Sequence, residues 1–135
     1  MFLGNNLISW RSKKQPIVSK SSTEAEYRAL SSITSEVVWL RRLLLHFEID
    51  IPFVMLFCDN KYALSLAFNP VHHERSKHID IDHHFIGKFV QSNVIRLVHV
   101  KSQHQVIDVF TKALPGPAFG KFIAKLGMIN IYSPT

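Results

Sequence analysis

Acid is what the opening of this sequence lacks. No Asp or Glu occurs among residues 1–23, while Arg11, Lys13, Lys14 and Lys20 all fall there. Cysteine is almost absent too: the single Cys58 excludes an internal disulfide framework and fits a reducing compartment. No apolar run approaches the roughly 20 residues that span a bilayer. The opening MFLGNNLISW is too short and too polar for a secretory signal. Internal repeats, low-complexity tracts and linker-like stretches are missing as well. What remains is a chain of 135 residues, 47% of them hydrophobic, which suits one domain with a real core. Its net charge of +6 suits a polyanion such as nucleic acid, or is ordinary solubilising charge. Composition does not separate those two.

Patterning then places the elements. GNN (4–6) reads as a hairpin turn, with LISWRS (7–12) as a short strand after it. Residues 22–47 form the strongest helix, with Ser22 or Thr23 as cap and Thr23 with Glu26 at capping-box spacing. FVMLFCD (53–59) is a continuous apolar run ending in an acid, as a strand buried on both faces would be. NKYALSLAFNP reads as a short helix stopped by Pro70, and SKHIDIDHHFIGKFVQSN (76–93) as a second one. VIRLVHVKS (94–102) alternates like a strand. QVIDVFTKAL (105–114) reads as a helix ended by Pro115-Gly116-Pro117, and AFGKFIAKLGM as a closing helix. Strands alternating with helices imply an α/β layer fold.

Three acids stand out by position. Glu24 and Glu26 are about 200° apart on a helix and cannot share a face. The apolar stripe Leu30, Ile33, Val37, Leu40, Leu44, extended one step back, lands on Glu26 and leaves Glu24 opposite. A first-turn carboxylate is also favoured by a capping box and the helix dipole, which accounts for Glu26 without any ligand. Asp59 ends a strand and precedes a helix, the place where open α/β sheets gather ligands. It could instead cap that helix, although Asn60 is able to do so. Asp108 sits among apolar Val106, Ile107, Val109 and Phe110. Oxygen-only donors from separate elements suit Mg²⁺, and paired Mg²⁺ ions drive in-line displacement at phosphorus. With the basic charge, these acids point to a nuclease.

The stretches SWRSKKQPIVSKSSTEAEYRAL, FCDNKYALSLAFNP, SKHIDIDHHFI and QVIDVFTKAL, in that order, resemble the ribonuclease H domain at the C-terminal end of copia-type retrotransposon Pol polyproteins, plant elements above all. The resemblance implies a five-stranded mixed sheet flanked by helices, cutting the RNA strand of an RNA–DNA hybrid. It implies a reverse transcriptase domain upstream in the parent polyprotein; no membrane is expected, and the compartment, intracellular in cytoplasm or nucleus, is left open. It assigns Glu26, Asp59 and Asp108 to a set of four carboxylates on two Mg²⁺ ions. The remaining carboxylate belongs to a first strand upstream of the hairpin, and residues 1–23 offer no acid in its place. The expectation is therefore a mixed-sheet α/β (α+β), ribonuclease H-like fold lacking its first strand and most of its second. Residues 1–135 would be one incomplete domain, with a hairpin remnant over about 1–12, a core over about 22–114 and a C-terminal helix over about 117–127. Such a chain would be marginally stable and catalytically impaired. The alternatives are a non-catalytic nucleic-acid-binding or reverse-transcriptase-docking module, or a fragment without function.

Other residues carry weaker readings. His72, His73, His78, Asp82 and His83 invite zinc, but no cysteine pair or HExxH spacing accompanies them. His104 precedes the Asp108 segment, and cellular ribonucleases H use a mobile histidine in a comparable loop, so it is a candidate aid to product release. Trp10, Arg11, Lys13, Lys14 and Lys20 are candidates for a phosphate backbone and a base face, with Trp10 alternatively a core residue. Cys58 reads as an inert core thiol, and Trp39 and Phe47 as packing residues.

Overall fold

The computed structural model describes residues 1–68, 80–129 and 132. In chain order it has β1 (Phe2–Leu3), β2 (Asn6–Leu7), α1 (Ser22–His46), β3 (Val54–Cys58), α2 (Lys61–Phe68), α3 (Asp80–Gln91), β4 (Ile95–His99) and α4 (Gly116–Lys125). Short 3₁₀ turns cover Ser102–His104 and Val106–Phe110. The chain divides into two compact units: Met1–Pro16 with the chain from Gln103 onward, and Ile17–Ser102. The architecture is mixed α and β, as expected, with two two-stranded sheets among the described residues. No helix among them is long and apolar enough to cross a membrane.

In the second unit β3 and β4 pair in parallel, with Val54 opposite Ile95 and Cys58 opposite His99. A parallel pair cannot be closed by a tight turn and needs a crossover. Here α2 and α3 lie in that crossover. They pack with α1 over one face of the strands, burying Tyr27, Leu30, Cys58, Ala63, Leu64, Ala67 and Ile86 in one cluster. Because strand side chains alternate, Leu56 and Cys58 face this layer while Met55 and Phe57 remain 53% and 55% exposed. β3 is thus covered on one face, not on both as its unbroken apolar run suggests. Trp39 and Phe47, expected to pack, are also exposed.

Helix α1 begins as the pattern predicts, but its cap is Ser21 rather than Ser22 or Thr23. The Glu24 N–H donates to Ser21 Oγ at 3.1 Å, and the Lys20 N–H donates to Glu24 Oε2 at 2.8 Å. The box spacing is therefore filled by Ser21 and Glu24, not Thr23 and Glu26. Its buried stripe runs Tyr27, Leu30, Thr34, Val37. Stepping back from Leu30 lands on Tyr27, which leaves Glu26 beside the buried stripe rather than on it.

α1, α3 and α4 end alike. A residue with positive φ follows each helix: Glu48 at 60°, Asn93 at 56° and Gly127 at 66°. Reverse backbone bonds close the last turn in all three, as in Ile49 N–H to Leu44 O and Glu48 N–H to Leu45 O, both 3.0 Å. This is the Schellman arrangement, which satisfies carbonyls a helix end otherwise leaves bare.

The first unit contains the β1–β2 hairpin, with Phe2 opposite Leu7 and Gly4 in the left-handed conformation at its turn. The ladder stops near Ile8, whose N–H reaches Met1 O at 3.0 Å, so LISWRS is strand only at its start. Residues 105–114 are not an α-helix but the 3₁₀ turn Val106–Phe110, which packs on α4. β-Branched Val106, Ile107 and Val109 are poor helix formers, and a segment this short does not offset the cost of nucleation. Pro115-Gly116-Pro117 opens α4 instead of closing a helix, because proline suits the first turn, where its missing N–H costs nothing.

Thr34 is fully buried and its hydroxyl has no hydrogen-bond partner among the described residues. An unsatisfied buried polar group costs about 1–3 kcal/mol. Thr34→Val, nearly isosteric, should raise the urea midpoint with an unchanged slope, a gain of about 1 kcal/mol. A lowered midpoint would show that the hydroxyl is bonded.

Candidate functional site

Beyond the end of β3 the chain divides the work of two neighbouring polar residues. Asn60 Oδ1 accepts from the N–H groups of Tyr62 and Ala63 at 3.0 Å each, and so caps α2. Asp59 is thereby released from capping, as its sequence position allows. Its Oδ2 instead accepts from Ser102 Oγ at 2.9 Å, which ties the carboxylate to the segment after β4.

At the start of α1 the two glutamates separate in the same way. Glu24 is consumed locally: besides the Lys20 amide it accepts from Arg28 Nε at 3.1 Å and Nη2 at 2.9 Å. The Lys20 backbone bond first, and Arg28 second, hold its carboxyl below the usual range. Glu26 reaches the end of β3, where its carboxylate, the Cys58 thiol and the Asp59 carboxylate bring donor atoms within 4.8 Å of one another. Helix and strand, remote in sequence, thus converge on one point of the second unit.

The donor set fits a hard divalent cation. Two carboxylates supply oxygens of the kind Mg²⁺ prefers. The third donor does not compete: burial above all, with the Glu26 and Asp59 charges, pushes the Cys58 thiol up, outweighing a backbone hydrogen bond with Asn60 that acts the other way. A protonated thiol is no ligand for Mg²⁺. Cys58, read from the sequence as an inert core thiol, is buried in the core cluster but also borders the two carboxylates, and Ser102 carries no reading in the sequence. The usable signal for Cys58 was its place at the last position of a strand, directly before the acid.

Asp108 lies in the first unit, in the Val106–Phe110 turn, with its Oδ2 accepting from Lys112 Nζ at 2.9 Å. His104 is exposed in the preceding turn, its Nε2 3.2 Å from Gln103 Nε2. Trp10 is 59% exposed and so is not a core residue. Arg11, Lys13, Lys14 and Lys20 are exposed as well. Of the histidine-rich segment, His72, His73 and His78 lie outside the described residues. The rest of it serves packing: Ser31 Oγ donates to Asp82 Oδ1 at 2.6 Å, and the His83 ring stacks on Tyr27 at 5.8 Å.

Comparison with known proteins gives the class first: the homologues of this chain are retrovirus-related Pol polyproteins of plant transposons. Over 132 residues, 97% of its length, the chain is 45% identical to the retrovirus-related Pol polyproteins from transposons RE2 and RE1 of Arabidopsis thaliana. It is 34% identical over 112 residues, 83% of its length, to the one from transposon TNT 1-94 of Nicotiana tabacum. The chain spans only 9% of the RE2 and RE1 polyproteins and 8% of the TNT 1-94 polyprotein. No protein-family profile and no solved structure matches it.

The Glu24 contacts have a pH consequence. Its folded pKa is depressed, so its contribution to the start of α1 is complete above the ordinary carboxyl value of 4.5 and is lost as pH falls through the lower folded value. Acid titration followed by far-ultraviolet circular dichroism should show this helix loss, and Glu24→Gln should remove that part of the curve. An unchanged curve in the variant would contradict the assignment.

Proposed function

We propose that the chain is the ribonuclease H segment of a copia-type retrotransposon Pol polyprotein, with a ribonuclease H-like fold. Its chemistry is hydrolysis of the RNA strand of RNA–DNA hybrids. The observation that carries this reading is the convergence of Glu26, from α1, with Asp59, from the end of a parallel strand. The sequence match to Pol polyproteins over nearly the whole chain supports it.

In this reading Glu26 and Asp59 hold Mg²⁺, and Asp108 joins them on the strength of its motif. Two such ions, when bound, supply an activated water and a charge for the leaving oxygen. Ser102 fixes the rotation of the Asp59 carboxylate, the part outer hydrogen bonds play at metal sites. Asn60 leaves that carboxylate unencumbered by capping α2 itself. Trp10, Arg11, Lys13, Lys14 and Lys20 contribute to the phosphate backbone and a base face of the hybrid, and His104 assists product release. The partner within the parent polyprotein is a reverse transcriptase domain. Residues 1–23 offer no acid for the fourth position, so the isolated polypeptide is impaired, and activity needs a carboxylate from elsewhere in a Pol polyprotein.

A labelled RNA–DNA hybrid in Mg²⁺ tests this. Residues 1–135 alone should cleave no faster than the metal-free control. Substituted for the matching segment of the RE1 polyprotein, the same residues should cleave the RNA strand. Glu26→Gln or Asp59→Asn should then cost more than the roughly 100-fold that outer-shell changes cost at metal sites. Cleavage that survives both substitutions would refute the assignment. Binding of the hybrid without cleavage in either setting, steeply salt-dependent and indifferent to Asp59→Asn, would favour the basic binding module instead.

A further inference from the structure

Positive charge is divided unequally between the two units. Met1–Pro16 and the chain from Gln103 onward hold six basic residues, Arg11, Lys13, Lys14, Lys112, Lys121 and Lys125, against the single acid Asp108. That unit therefore carries five of the chain's six net positive charges, and the larger second unit is nearly balanced. Solubility asks only for charge of both signs spread over a surface. No Asp or Glu follows Asp108 in the sequence, and the Asp108 carboxylate is already taken by Lys112 Nζ at 2.9 Å. Helix α4 carries the excess into the open. Phe122 and Leu126 are buried and the helix packs on the Val106–Phe110 turn, while Lys121 and Lys125 are exposed along one flank. Four residues apart, they stand one above the other, about 6 Å along the axis. Neither forms an ion pair among the described residues. The helix dipole accounts for Lys125, which lies in the last turn, but not for Lys121.

We propose that the Lys121–Lys125 flank of α4 is a docking surface for the phosphate backbone of double-stranded nucleic acid, bound without regard to sequence. Like charges at this spacing repel and weaken a helix, and a polyanion laid along the flank turns that repulsion into attraction. Backbone contacts of this kind need only positioned cations, not a pocket. Nucleic acid is favoured over an anionic membrane because the apolar stripe that an interfacial helix inserts is here buried at Phe122 and Leu126. The flank is additional to the basic residues at positions 11–20. It uses neither a metal nor the carboxylates, so it does not depend on the cleavage reading.

The test is binding of the purified chain to a fluorescent DNA duplex of about 20 base pairs in EDTA, with anisotropy read between about 0.05 and 0.2 M salt. Each phosphate neutralised contributes about −0.9 to the slope of log affinity against log salt. Lys121→Gln/Lys125→Gln should therefore make the slope shallower by about 1.8, with circular dichroism unchanged. Lys121→Arg/Lys125→Arg keeps both charges and should keep the slope. Arg42→Gln/Lys88→Gln removes two exposed charges from the second unit and should also leave it at the parental value. A parent chain that does not bind the duplex at low salt would overturn the proposal. So would a parental slope in the Lys121→Gln/Lys125→Gln chain, or an equal loss in the Arg42→Gln/Lys88→Gln chain, which would mark diffuse charge. Binding to phosphatidylserine vesicles in place of DNA would assign the flank to a membrane and overturn it as well. Duplex DNA without metal plays no part in the hybrid-cleavage assay, so the two proposals fail separately.

Discussion

Parallel pairing of β3 with β4 is the constraint on which the second unit depends. Two parallel strands have no hairpin to hold them and little stability alone, so the pair persists only because helices bury one of its faces. Leu56 and Cys58 are buried on that face, and Cys58 packs in one cluster with Tyr27, Leu30, Ala63, Leu64, Ala67 and Ile86. The register that sets Cys58 opposite His99 also fixes where β3 stops, and the residue past that point is Asp59. A carboxylate there escapes the interior. A slip of one residue would turn the wrong side chains inward and move the thiol to the opposite face.

Helix α1 answers the same constraint from the other side. It packs on α2 and α3, and its entry point determines which acid meets Asp59. Ser21 and Glu24 define that entry with local bonds to Lys20 and Arg28, and Tyr27 seals the stripe one residue beyond Glu26. Between a capping acid and a buried tyrosine, Glu26 occupies a half-buried position that borders the core and still reaches water. Glutamate tolerates that border because its carboxylate need not be desolvated.

Periodicity made several of these features legible. The 3.6-residue pattern located α1 to within a residue, and the capping competence of Asn60 and the alternation of 94–102 were both readable. What escaped had physical causes. An unbroken apolar run such as FVMLFCD reads the same whether one face or two are covered, and only the count of packing layers decides. Ser21 and Ser22 are chemically identical as caps, so the choice between them falls to where Glu24 finds an amide. Asn93 and Gly127 are residue types that accept the left-handed conformation, whereas Glu48 does so without any such preference. The QVIDVFTKAL segment carries a helical spacing, yet its β-branched residues and the prolines after it leave room only for a 3₁₀ turn.

Cys58 shows how burial and reactivity come apart. A thiol at the centre of an apolar layer is ordinarily inert, and its neighbours here make it more so by disfavouring the thiolate. The strand that ends on Cys58 continues directly into Asp59, so adjacent residues set a thiol into the apolar layer and a carboxylate outside it, where Ser102 holds it.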